Sequence, residues 1–264
     1  MMERELEWVD SHCHLEMLKG DVHAALKKSF QSGMAYCITI GTSPSANKKI
    51  VSFCQSIKRV YGTLGCHPHN ASKFDIKELD WVKQQIELYD TIVGIGECGF
   101  DLYYEHSDRS LQKIAFDAQL SLAIEIDMPV VIHAREADQL TRDVLEPYRS
   151  KNITGVVHSI TSDLDQARFL LDFGFYLSFN GICTFSQAES VRDVLKFTPP
   201  DRILLETDAP YLSPEPYRGK PNIPGNVALV GKYVAELLNI SQEQLAQQTA
   251  RNTKTLFPRI SYER

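Results

Sequence analysis

Short apolar runs recur along the chain and are separated by segments with helical spacing. The runs are Leu6–Val9, Ala35–Ile40, Val60–Cys66, Ile92–Gly96, Val130–His133, Gly155–His158, Phe175–Phe179 and Ile203–Leu205. Most are too short for helices and are bounded by Gly, Pro, Asp or Ser, so they read as buried strands. Between them, Leu111, Ala115, Ala118, Leu122 and Ile126 fall on one face of a helix that must stop before Pro129. Val227, Val230, Val234 and Leu237 repeat the pattern near the C-terminus, and Ser241 with Gln244 reads as a capping box that opens a last helix. Segments near 21–32, 44–58, 76–89, 136–149, 163–172 and 186–197 are further helical candidates.

Eight strands alternating with helices predict an α/β fold, a (β/α)8 TIM-like barrel with residues 1–264 as a single domain. A doubly wound open sheet is the structural alternative. Pro210, Pro214, Pro216, Pro221 and Pro224 stiffen a long loop over Ala209–Gly225, which reads as a wall of a site rather than a linker.

Charge and composition narrow the function classes. The 264 residues carry 28 basic and 34 acidic side chains, a formal charge of −6, which excludes bulk electrostatic binding of nucleic acid and leaves room for a local cleft or a metal. No apolar stretch is long enough to span a membrane. Met1 to Asp10 carries three Glu and no apolar leader core, and the six cysteines form no CxxC pair. Buried free thiols in a cytoplasmic protein are the expectation, with no obligate protein partner.

The chemistry lies where predicted strands end. His12 and His14 follow the first strand, Glu97 the fourth and Asp208 the eighth, while His133 and His158 close the fifth and sixth. In a barrel these ends converge on one face. The i, i+2 spacing of His12 and His14 puts both imidazoles on one side of extended chain. A carboxylate such as Glu97 directly after a buried strand is costly unless it is paired, protonated or metal-bound, and its flanking glycines permit close backbone approach. Asp208 suits a ligand that also takes a proton from water. Neutral imidazoles with carboxylates suit Zn²⁺, Mn²⁺ or Fe²⁺ by ligand type. Six ligands exceed the needs of one tetrahedral ion and point to two divalent ions, with Glu97 as the bridging carboxylate.

Each of these residues has a blander reading, such as a hydrogen-bonded core histidine or a carboxylate capping a loop. His67 ends the third strand and could contact a phosphate. Arg135 follows His133 by two, and Arg218 and Lys220 lie in the proline-rich loop, where arginine suits bidentate phosphate contact. Tyr103, Tyr104 and Tyr211 are candidates for base stacking or for rim packing. His23, His69 and His106 read as surface residues.

These segments resemble the TatD family of metal-dependent hydrolases, a deoxyribonuclease-type branch of the amidohydrolase superfamily. The resemblance runs from Asp10-Ser11-His12-Cys13-His14 through Gly65-Cys66-His67-Pro68-His69 and Gly94-Ile95-Gly96-Glu97-Cys98-Gly99-Phe100-Asp101. It continues through Gln119-Leu120-Ser121-Leu122-Ala123, Pro129-Val130-Val131-Ile132-His133-Ala134-Arg135, Leu205-Glu206-Thr207-Asp208-Ala209-Pro210-Tyr211-Leu212 and Tyr217-Arg218-Gly219-Lys220-Pro221-Asn222. It implies a TIM-like barrel, metal roles for His12, His14, Glu97, His133, His158 and Asp208, and catalytic roles for Glu97 and Asp208. It also implies Mg²⁺- or Mn²⁺-supported hydrolysis of DNA phosphodiesters, as a 3′→5′ exonuclease in some members. Ser159-Ile160 stands where relatives often carry Cys-Phe, and Cys98 and Phe100 replace commoner residues. Those departures bear on substrate fit and remove no ligand. Two other readings remain: hydrolysis of a small or aminoacyl ester or amide at the same metals, and a binding protein without turnover.

Overall fold

The structure is a computed structural model that describes residues 6–262. Most of the acidic N-terminal stretch that reads as lacking a leader lies outside the described residues, as do positions 263–264. The strands are β1 (Trp8–Cys13), β2 (Met34–Ile40), β3 (Val60–Leu64), β4 (Ile92–Asp101), β5 (Val130–Arg135), β6 (Gly155–Val157), β7 (Tyr176–Phe179) and β8 (Ile203–Leu205). All seven successive pairs are parallel and in consecutive order. A doubly wound sheet would reverse direction at a switch point, and none occurs.

The ring is closed by polar chemistry between β1 and the end of β8. Ser11 Oγ donates to Leu205 O at 2.9 Å. Buried Asp10 accepts from Thr207 N at 2.8 Å and from Thr207 Oγ1 at 2.6 Å. Beyond the strands, Asp208 N donates to His12 O at 2.9 Å and His14 N to Ala209 O at 2.7 Å. The fold is therefore the (β/α)8 barrel.

The helices surround the ring: α1 (Val22–Gln31), α2 (Pro44–Ser56), α3 (Lys77–Leu88), α4 (Arg109–Glu125), α5 (Asp138–Leu145), α6 (Leu164–Phe173), α7 (Glu189–Phe197), α8 (Val227–Leu238) and α9 (Gln242–Leu256). The capping box of Ser241 and Gln244 opens α9 as the sequence predicts. Val227, Val230 and Val234 of α8 are fully buried against the barrel. No described helix is long and apolar enough to cross a membrane. All six cysteines are buried and free.

Several strand ends and part of one helix face differ from expectation, the two largest strand differences for one reason. β1 runs to Cys13 instead of stopping at Val9, and β4 runs to Asp101 instead of Gly96. His12 and Glu97 thus lie inside strands rather than after them. Their polar residues are buried because they line the barrel mouth, and a hydropathy pattern ends at the first of them. β3 stops at Leu64, two residues short of the predicted Cys66.

In α4 Ala115 and Leu122 are buried as expected, but the buried face also holds Gln112, Phe116, Gln119, Leu120 and Ala123, and Leu111 is 38% exposed. The two glutamines replace water for backbone that leaves the sheet. Gln119 accepts from Cys66 N at 2.8 Å and donates to Cys66 O at 3.1 Å. Gln112 does the same for Asp101, accepting at 2.9 Å and donating at 3.2 Å. One helix therefore clamps the mouth ends of β3 and β4.

Candidate metal centre

Glu97 reaches the mouth because β4 crowds β5. Gly96 and Gly99 have φ of +129° and +131°. A Cβ on Gly96 would stand 2.6 Å from Val131 O, and one on Gly99 2.1 Å from His133 O. Only glycine fits that approach and that φ. The Glu97 carboxylate is 1% exposed and is surrounded by imidazoles.

Its two oxygens face different sets of nitrogens. Oε2 lies 3.6 Å from His12 Nε2 and 3.8 Å from His14 Nε2. Asp208 Oδ1 joins that set, at 3.6 Å from His12 Nε2 and 3.3 Å from His14 Nε2. The two imidazole nitrogens are themselves 3.3 Å apart. Oε1 lies 2.7 Å from His158 Nε2 and 2.9 Å from His133 Nδ1, and those two nitrogens are 3.0 Å apart. Ligands held at about 2.0–2.2 Å from one cation are separated by roughly 3–3.5 Å from each other. The donor set therefore fits metal: nitrogens and carboxylate oxygens converge at that spacing, and Glu97 Oε2 has no hydrogen-bond partner.

Charge in the metal-free cluster follows from this crowding. Burial alone would push the Glu97 carboxyl up, but His158, His67 and His12 hold it well below the usual range. Burial drives His12 and His67 well below the ordinary imidazole value, which leaves a lone pair for a cation. Burial acts the same way on His14, His133 and His158, yet there it is outweighed. Asp208 and Glu97 raise His14 to about 9. Asp101 and Glu97 raise His133, and Glu97 and Glu206 raise His158.

All six expected ligands are thus drawn together. His67 also faces the cluster, with Nε2 3.6 Å from Glu97 Oε1. Arg135 does not point into it; its guanidinium lies 4.1 Å from the Tyr103 ring centre at the rim. Arg218 is exposed in the proline-rich loop, 4.2 Å over the ring of Phe185. That loop lines a cavity of about 560 Å³ together with Met17, Phe185 and Tyr211. Tyr211 stands edge-on to His14, ring centres 6.3 Å apart. His23 and His106 are exposed, as expected.

His69 is a correction. It is only 28% exposed, and its Nε2 is 3.0 Å from Asp101 Oδ2. Asp101, Glu206 and Asp10 carry structure that the sequence reading assigned to no site. Asp101 Oδ2 also meets His133 Nε2 at 3.1 Å. Glu206 Oε1 lies 3.4 Å from His158 Nδ1 and accepts from Ser159 N and Asn180 Nδ2. Both carboxylates sit on the side of the imidazole away from Glu97: Asp101 is within hydrogen-bond distance of His133 and fixes that ring's orientation, while Glu206 stands beside His158 as a charge partner. His67, Glu97 and His133 form a further grouping within metal-binding reach, and His12, His158 and Glu206 another, in which Glu206 Oε1 accepts two hydrogen bonds and Oε2 has no hydrogen-bond partner. The available signal was position: each acid stands at a strand end beside a predicted ligand.

The family model described as TatD related DNase matches residues 9–258. The chain belongs to the TatD family. It is 36% identical over 255 residues to a metal-dependent hydrolase of Escherichia coli, YcfH, covering 94% of this chain and 95% of that one. It is 31% identical over 242 residues to the 3′-5′ ssDNA/RNA exonuclease TatD of Enterobacter lignolyticus, covering 90% and 93%. The crystal structure of the TatD homologue YjjV from Escherichia coli superposes with a TM-score of 0.89 at 30% identity, covering 95% of this chain and 98% of that one. The protein is accordingly a TatD-family metal-dependent hydrolase.

Proposed function

We propose that this TatD-family hydrolase cleaves phosphodiester bonds at the ends of single-stranded DNA, using two divalent cations. The observation that carries the reading is the division of Glu97: one oxygen faces His12 and His14, the other His133 and His158. A carboxylate so placed suits two cations at once, and paired cations suit in-line displacement at phosphorus. The named activity of the Enterobacter relative supports the substrate class.

His12, His14, Asp208 and Glu97 would hold one cation, and His133, His158 and Glu97 the other. Bound there, Mg²⁺, Mn²⁺ or Zn²⁺ supplies positive charge to a phosphate and acidifies water. The chain's own residues do the rest. Asp208, 13% exposed on the open side of the cluster, takes the proton of the attacking water. His67 lies beside Glu97 and contacts the phosphate. Arg135 and Arg218, both on the rim, meet the flanking charge of the substrate.

A second reading, hydrolysis of a small or aminoacyl ester, is favoured by the cavity of about 560 Å³ lined by Tyr211, whose ring stands edge-on to His14, since such a cavity suits a small acyl or nucleoside group.

The test uses chelated protein and a 5′-labelled single-stranded oligonucleotide, with Mg²⁺, Mn²⁺ or Zn²⁺ restored singly. The proposal expects a ladder shortening from the 3′ end, absent in His12→Ala/His14→Ala and nearly absent in a folded Asp208→Asn. No cleavage with any ion, beside turnover of small esters, would replace it with the second reading.

A further inference from the structure

Two aromatic walls flank the metal cluster, and they differ in kind. One belongs to the turn after β4. Tyr103 and Tyr104 are 54% and 51% exposed, packed edge to face with ring centres 4.8 Å apart. Arg135 of β5 spans both, its guanidinium 4.1 Å from the first ring centre and 4.9 Å from the second. Tyr104 also lies nearly parallel to His106, at 12° and 5.6 Å. The other wall follows β7 and β8, where Phe185, Tyr211 and the proline-rich loop line the half-open cavity of about 560 Å³. In a ring of eight consecutive strands β4 and β8 stand opposite each other, so the walls face across the cluster.

The open wall is rigidly built. Tyr103 N and Tyr104 N both donate to Asp101 Oδ1, at 3.1 and 2.9 Å. The other oxygen of the same carboxylate meets His133 and His69. The edge of His69 touches Tyr104, with ring centres 5.6 Å apart. The backbone that carries two half-exposed phenol rings is therefore pinned to the scaffold that orients a candidate metal ligand. The core does not need the rings there: each is about half exposed, and they meet Arg135 and, for Tyr104, His106 rather than the barrel interior. Exposed aromatic faces with an interleaved arginine are the chemistry that stacks successive bases and meets the phosphates between them. A small ester would occupy the cavity beside Tyr211 and leave this shelf untouched.

We propose that Tyr103, Tyr104 and Arg135 form a stacking shelf that holds the body of a single-stranded nucleic acid while its terminal residue occupies the half-open cavity beside Tyr211. This rests on the phosphodiesterase reading above. It adds a division of labour: the cavity and the metal cluster act on one residue, and the shelf sets the preference for a strand over a mononucleotide ester.

The experiment compares wild type, Tyr103→Ala/Tyr104→Ala and Tyr103→Phe/Tyr104→Phe in the metal-loaded protein. The substrates are thymidine 5′-(p-nitrophenyl phosphate) and a short oligothymidylate. In the alanine variant the ratio of kcat/KM for the oligonucleotide to that for the mononucleotide ester should fall by about tenfold or more, mainly through KM. The phenylalanine variant, which keeps both rings, should retain the wild-type ratio. An unchanged ratio in the alanine variant overturns the shelf, whether both activities persist or both fall together. If wild type cleaves neither substrate, the phosphodiesterase reading fails on its own. The shelf is then judged by fluorescence anisotropy with labelled oligothymidylate. A Kd about tenfold weaker in the alanine variant sustains it, and an equal Kd overturns it.

Discussion

Asp101 Oδ2 lies 3.1 Å from His133 Nε2, while the other nitrogen of that ring lies 2.9 Å from Glu97 Oε1. The imidazole is thus held between a carboxylate that orients it and the carboxylate at the centre of the cluster. His69 approaches Asp101 from outside at 3.0 Å. Burial would raise the Asp101 carboxyl, yet the His133 bond, the Tyr104 N–H and both histidines hold it far below its ordinary range.

Asp101→Asn should therefore keep the barrel and weaken the metal. An amide can still meet His133, but it supplies no charge to fix the tautomer or to raise the basicity of the ring. Losses of about 10–100-fold in metal affinity or activity are typical for such partners. Titration with Mn²⁺ followed by calorimetry measures the loss; wild-type affinity would show that Asp101 serves the turn alone.

Gln119→Leu should destabilise the protein although the site is untouched. It strands the N–H and C=O of Cys66, at about 1–3 kcal/mol for each group left unpaired in the interior. Differential scanning calorimetry should show a fall in Tm of about 2–4 °C per kcal/mol. A wild-type Tm would contradict the clamp assigned to α4.

Metal binding should release protons at neutral pH. His14 is raised to about 9 in the metal-free cluster, against burial, by Asp208 and Glu97. It is therefore protonated at pH 7 and must lose its proton before it can donate to a cation. Apparent metal affinity should climb as pH rises from 7 through about 9, and His133 and His158, raised in the same way, add to the protons released. Calorimetry at pH 7 in buffers of different ionisation enthalpy gives the proton count; a buffer-independent heat would refute the assignment.

The barrel was legible because its strands are short apolar runs at regular intervals and its helices are amphipathic. The six candidate ligands were legible because each closes or follows an apolar run, where a lone imidazole or carboxylate is conspicuous. The strand ends themselves were not. His12, Glu97 and Asp101 are buried polar residues within strands, and hydropathy treats them as the start of a loop. Ala115 and Leu122 marked part of the inward face of α4, but Gln112 and Gln119 on it serve backbone that no linear pattern reveals. Asp101 and Glu206 act through His133 and His158, and such pairings exist only once the chain is folded. His69 reads as a surface residue in the sequence, and only the fold brings Asp101 within reach of it.

The central claim is that Glu97 joins two cation sites. Crystals grown with Mn²⁺ and measured at its absorption edge test it most directly. The account expects two anomalous peaks about 3.5–4 Å apart. One should lie against His12, His14 and Asp208, the other against His133 and His158, with one Glu97 oxygen on each. A single peak, or two that do not share Glu97, would contradict it.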